Sequence, residues 1–160
     1  NHTLDITCIV LAGGKGLRLG RDKVQETVGA DNLLQRVLSQ LAPFNSQYII
    51  VIACDMPFLN KALLRYMMGL SAGFDLVVPR LGDLVEPLHA VYSKSCLVPM
   101  ERMLKRDNLE VRGLFELVSV RYVESDEIDR CDPQHLSFYN VNTEADLEKA
   151  RQMVMKDVKL

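Results

Sequence analysis

The chain has 160 residues, 48% of them hydrophobic, which suffices for one core and is too little for two comfortable domains. Its 19 basic and 21 acidic side chains leave a formal charge of -2, a near balance that excludes any general attraction to nucleic acid or to an anionic membrane. No apolar stretch approaches the roughly 18 residues of a membrane span, and the short polar start is not expected to be a signal peptide.

The first predicted element is a strand over 6–10, an apolar, partly β-branched run that ends in Leu11-Ala12-Gly13-Gly14-Lys15-Gly16. Glycines remove Cβ atoms and permit positive φ, so backbone N–H groups can close on an anion. Lys15, Arg18, Arg21 and Lys23 add positive charge to the same loop. The loop reads as a polyphosphate cradle or, more plainly, as a basic surface turn. A Walker A loop is excluded because no register supplies Gly-Lys-Ser/Thr four residues after a glycine. A dinucleotide fingerprint fits poorly: after Gly14-Lys15-Gly16 the third glycine position holds Leu19, and the region about 20 residues on reads as helix rather than strand end.

A short extended segment over 24–28 and a turn at Gly29-Ala30-Asp31 lead to a helix over 33–41 with Leu34, Val37, Leu38 and Leu41 at helical spacing, stopped by Pro43. The apolar run 48–53 predicts a strand ending at Cys54-Asp55. Asp55 lies where open α/β sheets gather ligands, beyond the carboxyl end of a strand. It suits Mg²⁺, which takes one or two carboxylates plus phosphate oxygens, and as a bare residue before Pro57 it also suits a turn cap. Asn60 caps a helix over 61–69.

Strands over 75–79 and 86–92 follow, then helices over 94–106 and 111–117, and a strand over 119–123. His89 alternates with apolar residues and reads as structural. The acidic run 124–132 reads as a solvated loop, and 138–142 as a last strand with Asn140 and Asn142 on one face. Thr143 and Asp146 then form a capping-box-like start to the final helix. The four cysteines, Cys8, Cys54, Cys96 and Cys131, contain no C-x-x-C pair and are expected to be buried reduced thiols of a cytoplasmic protein.

Three strings in this order carry a resemblance: Leu11 to Lys23 (LAGGKGLRLGRDK), Ala53 to Leu59 (ACDMPFL) and Phe138 to Leu147 (FYNVNTEADL). They resemble the glycosyltransferase-A-like nucleotidyltransferases, and among these the molybdenum cofactor guanylyltransferase family. The resemblance implies a single α/β domain, a three-layer Rossmann-like sandwich with a mostly parallel central sheet. It implies transfer of GMP from GTP to a molybdopterin-type substrate with Mg²⁺. The alternatives are cytidylyl or sugar-phosphate transfer, or a nucleotide-binding protein that has lost catalysis. Transient contact with proteins that make or accept the molybdenum cofactor would follow, and no contact with nucleic acid or membrane.

Carried onto this sequence, the resemblance places Leu11, Ala12, Gly13, Gly14, Lys23 and Asp55 on the nucleotide, Arg18, Lys23 and Asp55 in catalysis, and Asp55 with Asn142 at the metal. Asn142 reads equally as a residue that turns the chain into the last helix. Arg80 is the candidate for the pterin phosphate. The sequence departs from relatives at Gly29-Ala30-Asp31, where they carry a lysine whose role cannot be transferred. It departs again near 51–52, where two strands that relatives separate by a loop, a strand and a helix are fused. A parallel sheet is not expected to absorb this directly, because a return crossover needs roughly a dozen residues. The expectation is that a segment is absent there, either missing from the sequence as given or deleted with part of the nucleotide pocket. An intact mass equal to 18.1 kDa would exclude the first.

Overall fold

A computed structural model describes residues 5–11, 46–106 and 111–157. Its sheet has six strands: β1 (Ile6–Leu11), β2 (Tyr48–Ala53), β3 (Leu76–Leu81), β4 (Leu84–Val85), β5 (His89–Ser93) and β6 (Val120–Val123). The path through it is β1-β2-β5-β3-β4, and β6 pairs with β3. β1 is parallel to β2 and β3 to β6, whereas β5 runs antiparallel to both β2 and β3. Four strands therefore share one direction, and the sheet is mostly parallel in that sense. The antiparallel course of β5 matters for the site, because it brings the start of β5 to the end of β2.

Helices α1 (Lys61–Leu70), α2 (Leu97–Lys105), α3 (Val111–Phe115), α4 (Ser125–Cys131) and α5 (Glu144–Asp157) complete the order. All six residues of β2 are buried, and the pleat sends them alternately to opposite faces. Ile49 and Val51 pack with Leu76, Val78, Ala90 and Tyr92 against Met100 and Met103 of α2 and Leu114 of α3. Tyr48, Ile50 and Ile52 pack with Val77, Val91 and Val123 against Leu63 and Met67 of α1 and Ile128 of α4. A strand buried on both faces has no use for polar alternation, which is why 48–53 is an unbroken apolar run. Helix, sheet and helix make the three layers expected from the sequence. Among the described residues no helix is long and apolar enough to cross a membrane.

At 51–52 the chain runs on without a break. β2 passes through this point as one strand, in register with β1 from Ile6↔Tyr48 to Leu11↔Ala53. Joining two apolar half-strands keeps the pleat and the two-sided burial.

Other departures have local causes. The acidic run is helical over α4, because the N–H of Glu124 donates to Glu127 Oε2 at 2.9 Å and Ile128 anchors the turn in the core. The segment 138–142 forms no strand. Asp132, itself buried, accepts from the N–H groups of Leu136 (3.2 Å) and Ser137 (2.8 Å), while His135 takes the left-handed conformation with φ 53°; a 3₁₀ turn, Leu136–Phe138, results. Of the cysteines only Cys96 is fully buried; Cys8 and Cys54 are exposed and Cys131 is half-buried.

The predicted caps are as expected. Asn60 Oδ1 accepts from the N–H of Leu63 at 3.0 Å. Thr143 Oγ1 accepts from the N–H of Asp146 at 3.1 Å, and Asp146 Oδ2 accepts from that of Thr143 at 2.9 Å.

Candidate functional site

Three chain segments meet at one end of the sheet. β1 and β2, being parallel and in register, finish side by side at Leu11 and Ala53. Because β5 is antiparallel to β2, the residues leading into it lie there too: the N–H of Ala53 donates to the carbonyl of Leu88 at 2.9 Å. The third segment comes from far down the chain, with the N–H of Val141 donating to the carbonyl of Asp55 at 2.8 Å. The expected residues Leu11, Asp55 and Asn142 thus converge. Ala12, Gly13, Gly14, Arg18 and Lys23 lie outside the described residues.

Asp55 sits two residues beyond the end of β2. Its Oδ1 is buried and has no hydrogen-bond partner among the described residues. A buried carboxylate oxygen without a partner costs on the order of 1–3 kcal/mol or more, so such an atom calls for a ligand. This is the chemistry a hard cation satisfies, and Asp55 fits Mg²⁺ on that ground. Asn142 is exposed; its backbone N–H is held by Asp146 Oδ2 at 3.1 Å, and its placement beside Asp55 comes through Val141. Among the described residues no three His, Cys, Asp or Glu side chains gather into a cage for a metal.

One residue at this end was missed in the sequence. Glu86 was read as part of a strand, yet β5 begins only at His89 and residues 86–88 turn beside Ala53. The turn is fixed by backbone bonds from Glu86 N–H to the Pro79 carbonyl and from His89 N–H to the Glu86 carbonyl, each 3.1 Å. Burial, and then the negative charge of Asp55, push the Glu86 carboxyl above its ordinary value. The rule that ligands gather at the carboxyl ends of strands points away from Glu86, because an antiparallel strand contributes its beginning instead.

Two other expectations resolve differently. Arg80, the candidate for the pterin phosphate, is engaged elsewhere. Its Nε donates to Glu124 Oε2 at 3.2 Å, its Nη2 donates to Glu124 Oε1, and its guanidinium carbon lies 4.0 Å from the centroid of the Tyr122 ring. His89 is structural, as expected: it is fully buried, packs edge-on against Phe138 with centroids 5.2 Å apart, and burial lowers its pKa to about 4. The imidazole is therefore neutral at pH 7.

The MobA-like NTP transferase domain family matches the chain over residues 8–52 and 44–124. The two matched stretches overlap at 44–52, across the fused strand. A protein named probable molybdenum cofactor guanylyltransferase from Pelotomaculum thermopropionicum is 38% identical over 148 residues, which are 91% of this chain and 72% of that one. The molybdenum cofactor guanylyltransferase of Desulfosudis oleivorans is 35% identical over 109 residues, 68% of this chain and 54% of its own. This chain therefore spans about half of the second relative. The crystal structure of molybdopterin-guanine dinucleotide biosynthesis protein A from Archaeoglobus fulgidus superposes with a TM-score of 0.70 at 25% identity, covering 94% of this chain and 99% of that one.

Proposed function

We propose, from the premise that the chain belongs to the MobA-like NTP transferase family, that it transfers GMP from GTP to a molybdopterin acceptor and releases pyrophosphate. The observation that carries this reading is the convergence of Leu11, Asp55 and Asn142 at one sheet end, with a carboxylate oxygen of Asp55 buried and without a partner among the described residues. The relatives named above, which bear guanylyltransferase names, support the choice of base and acceptor.

In the reaction, an oxygen of the acceptor's phosphate monoester attacks the α-phosphorus of GTP. A P–O bond forms between them, the bond from the α-phosphorus to the α–β bridging oxygen breaks, and pyrophosphate leaves with that electron pair. A phosphate monoester is already ionised near neutral pH, so the attack needs no general base. What it needs is in-line positioning and neutralisation of charge. Backbone groups of Leu11, Ala12, Gly13 and Gly14 bind the nucleotide. Arg18 and Lys23 stabilise the transferring phosphate and the pyrophosphate. Asp55 and Asn142 would hold Mg²⁺, which when bound supplies neutralisation at the phosphate oxygens. The neutral, buried His89 takes no part.

Calorimetric titration with GTP, ATP, CTP and UTP, each with Mg²⁺, tests the reading. Selective binding of GTP is expected. A preference for CTP would move the assignment to cytidylyl transfer, and binding of none would leave a protein without catalysis. The fused strand at 51–52 makes this titration informative, since a deletion there that removed part of the nucleotide pocket would weaken binding of every nucleotide.

A further inference from the structure

We propose that Glu86 is a second carboxylate of the divalent-cation site, so that the cation used in nucleotidyl transfer is held between Asp55 and Glu86. The inference rests on the nucleotidyl-transfer reading and adds to it a residue for which that reading has no role.

Geometry supplies the first argument. Ala53 is bonded to Leu88, His89 to Glu86 and Ile52 is paired with His89, so the turn 86–88 is fastened alongside the chain as it leaves β2 for Asp55. These bonds are backbone to backbone and do not depend on the rotamer of either carboxylate. The turn is also tied to β3 through Pro79, which keeps Glu86 at the rim of the sheet rather than out in solvent.

Charge supplies the second. Glu86 has no hydrogen-bond or ion-pair partner for its carboxylate among the described residues, and Asp55 Oδ1 is buried without one. Among the described residues, Arg80 is held by Glu124 and Arg121 by Glu127. Two neighbouring carboxylates with no cation of the described residues between them repel, and a bound divalent cation relieves that repulsion. The backbone bonds that fasten 86–88 beside Ala53 bring Glu86 to the sheet end where Asp55 lies. Mg²⁺ and Mn²⁺ take one or two carboxylates and complete an octahedron with waters and phosphate oxygens, and an Asp–Glu pair at the mouth of a phosphate site matches that demand.

The test is Mn²⁺ titration of the nucleotide-free protein, read by loss of the free-ion EPR signal, on the wild type, Asp55→Asn and Glu86→Gln. Thermal melts and GTP–Mg²⁺ calorimetry of the same proteins accompany it. Glu86→Gln is expected to weaken Mn²⁺ binding by about tenfold or more, the scale of losing a group at a metal site. Its metal-free melting temperature should stay the same or rise, because the substitution removes a repulsion and keeps the shape. Wild-type Mn²⁺ affinity in Glu86→Gln, with affinity lost in Asp55→Asn, would overturn the role of Glu86 and leave the nucleotidyl-transfer reading standing. A lowered melting temperature with unchanged Mn²⁺ affinity would equally overturn it, marking Glu86 as structural. A wild type that binds neither Mn²⁺ nor GTP would remove the nucleotidyl-transfer reading, and the assignment of Glu86 with it.

Discussion

Two acidic clusters lie at different places on the same sheet, and their bonding could hardly differ more. Between β3, β6, α1 and α4, every carboxylate has partners. Glu127 accepts from Tyr66 Oη at 2.6 Å, from Arg121 Nη1 at 3.0 Å and from the N–H of Glu124 at 2.9 Å, and Glu124 holds Arg80. Beyond the end of β2, Asp55 Oδ1 is buried, and neither it nor the Glu86 carboxylate has such a partner among the described residues. Fold-stabilising carboxylates are saturated by their own protein; carboxylates waiting for a ligand are not. The comparison teaches that acidic composition is uninformative and that satisfaction of the acceptors decides. In sequence the run 124–132 is the conspicuous one, with Glu86 isolated, and the structural roles are the reverse.

Substitutions should break the two clusters in opposite ways. The largest effect is expected at the unpartnered end. Asp55→Ala, and Lys23→Ala in the glycine loop, should lower GMP transfer by about 10³-fold or more, the scale of losing a charge-stabilising group, with melting temperature unchanged. Pyrophosphate release checks the first and a thermal melt the second. Next is the core beneath both clusters. Leu63 is fully buried between α1 and the sheet, so Leu63→Ala should cost about 2–5 kcal/mol in urea unfolding.

At the saturated cluster the loss should be of stability and smaller. Glu127→Gln weakens the bonds to Arg121, Tyr66 and Glu124, for about 1–2 kcal/mol at pH 7, with transfer retained. The pH dependence sharpens this. The hydrogen bond from Arg121, with help from Tyr66 and the Glu124 N–H, lowers the Glu127 carboxyl from 4.5 to about 2. Its folded value is depressed, so its stabilisation is present above pH 4.5 and is lost as the pH falls toward 2. His89 acts in a higher window. Burial lowers it from 6.5 to about 4, so the unfolded chain binds the proton first and stability falls as the pH drops from 6.5 toward 4. Melts of the wild type should decline across both windows, and Glu127→Gln should flatten only the lower one. The smallest effect belongs to the exposed pair Arg130–Asp126 at 3.7 Å, where Arg130→Ala should change stability by less than about 0.5 kcal/mol.

Much of the fold was legible because burial leaves a direct mark on sequence. The unbroken apolar run of β2, the Asn60 cap and the Thr143–Asp146 box each follow from a local rule that tertiary contacts did not override. Long-range bonding was not legible. Nothing near 124–132 announces that Arg80 and Arg121 will hold its carboxylates, and without them nine mostly polar residues read as a loop. Likewise 138–142 has the composition of a strand, but Asp132 turns the chain just before it, at Leu136 and Ser137, and the N–H of Val141 is taken by the Asp55 carbonyl. At the site, Asp55 could be read from its place after a strand, whereas Glu86 needed the knowledge that β5 runs backwards.

The central claim is that the Asp55 carboxylate, whose buried Oδ1 has no partner among the described residues, serves transfer of a nucleotide and not stability. Single-turnover pyrophosphate release from GTP with a molybdopterin acceptor and Mg²⁺, comparing wild type with Asp55→Asn, tests it most directly. The account predicts release by the wild type and almost none by Asp55→Asn, from proteins that melt at the same temperature. Equal release by both would contradict it.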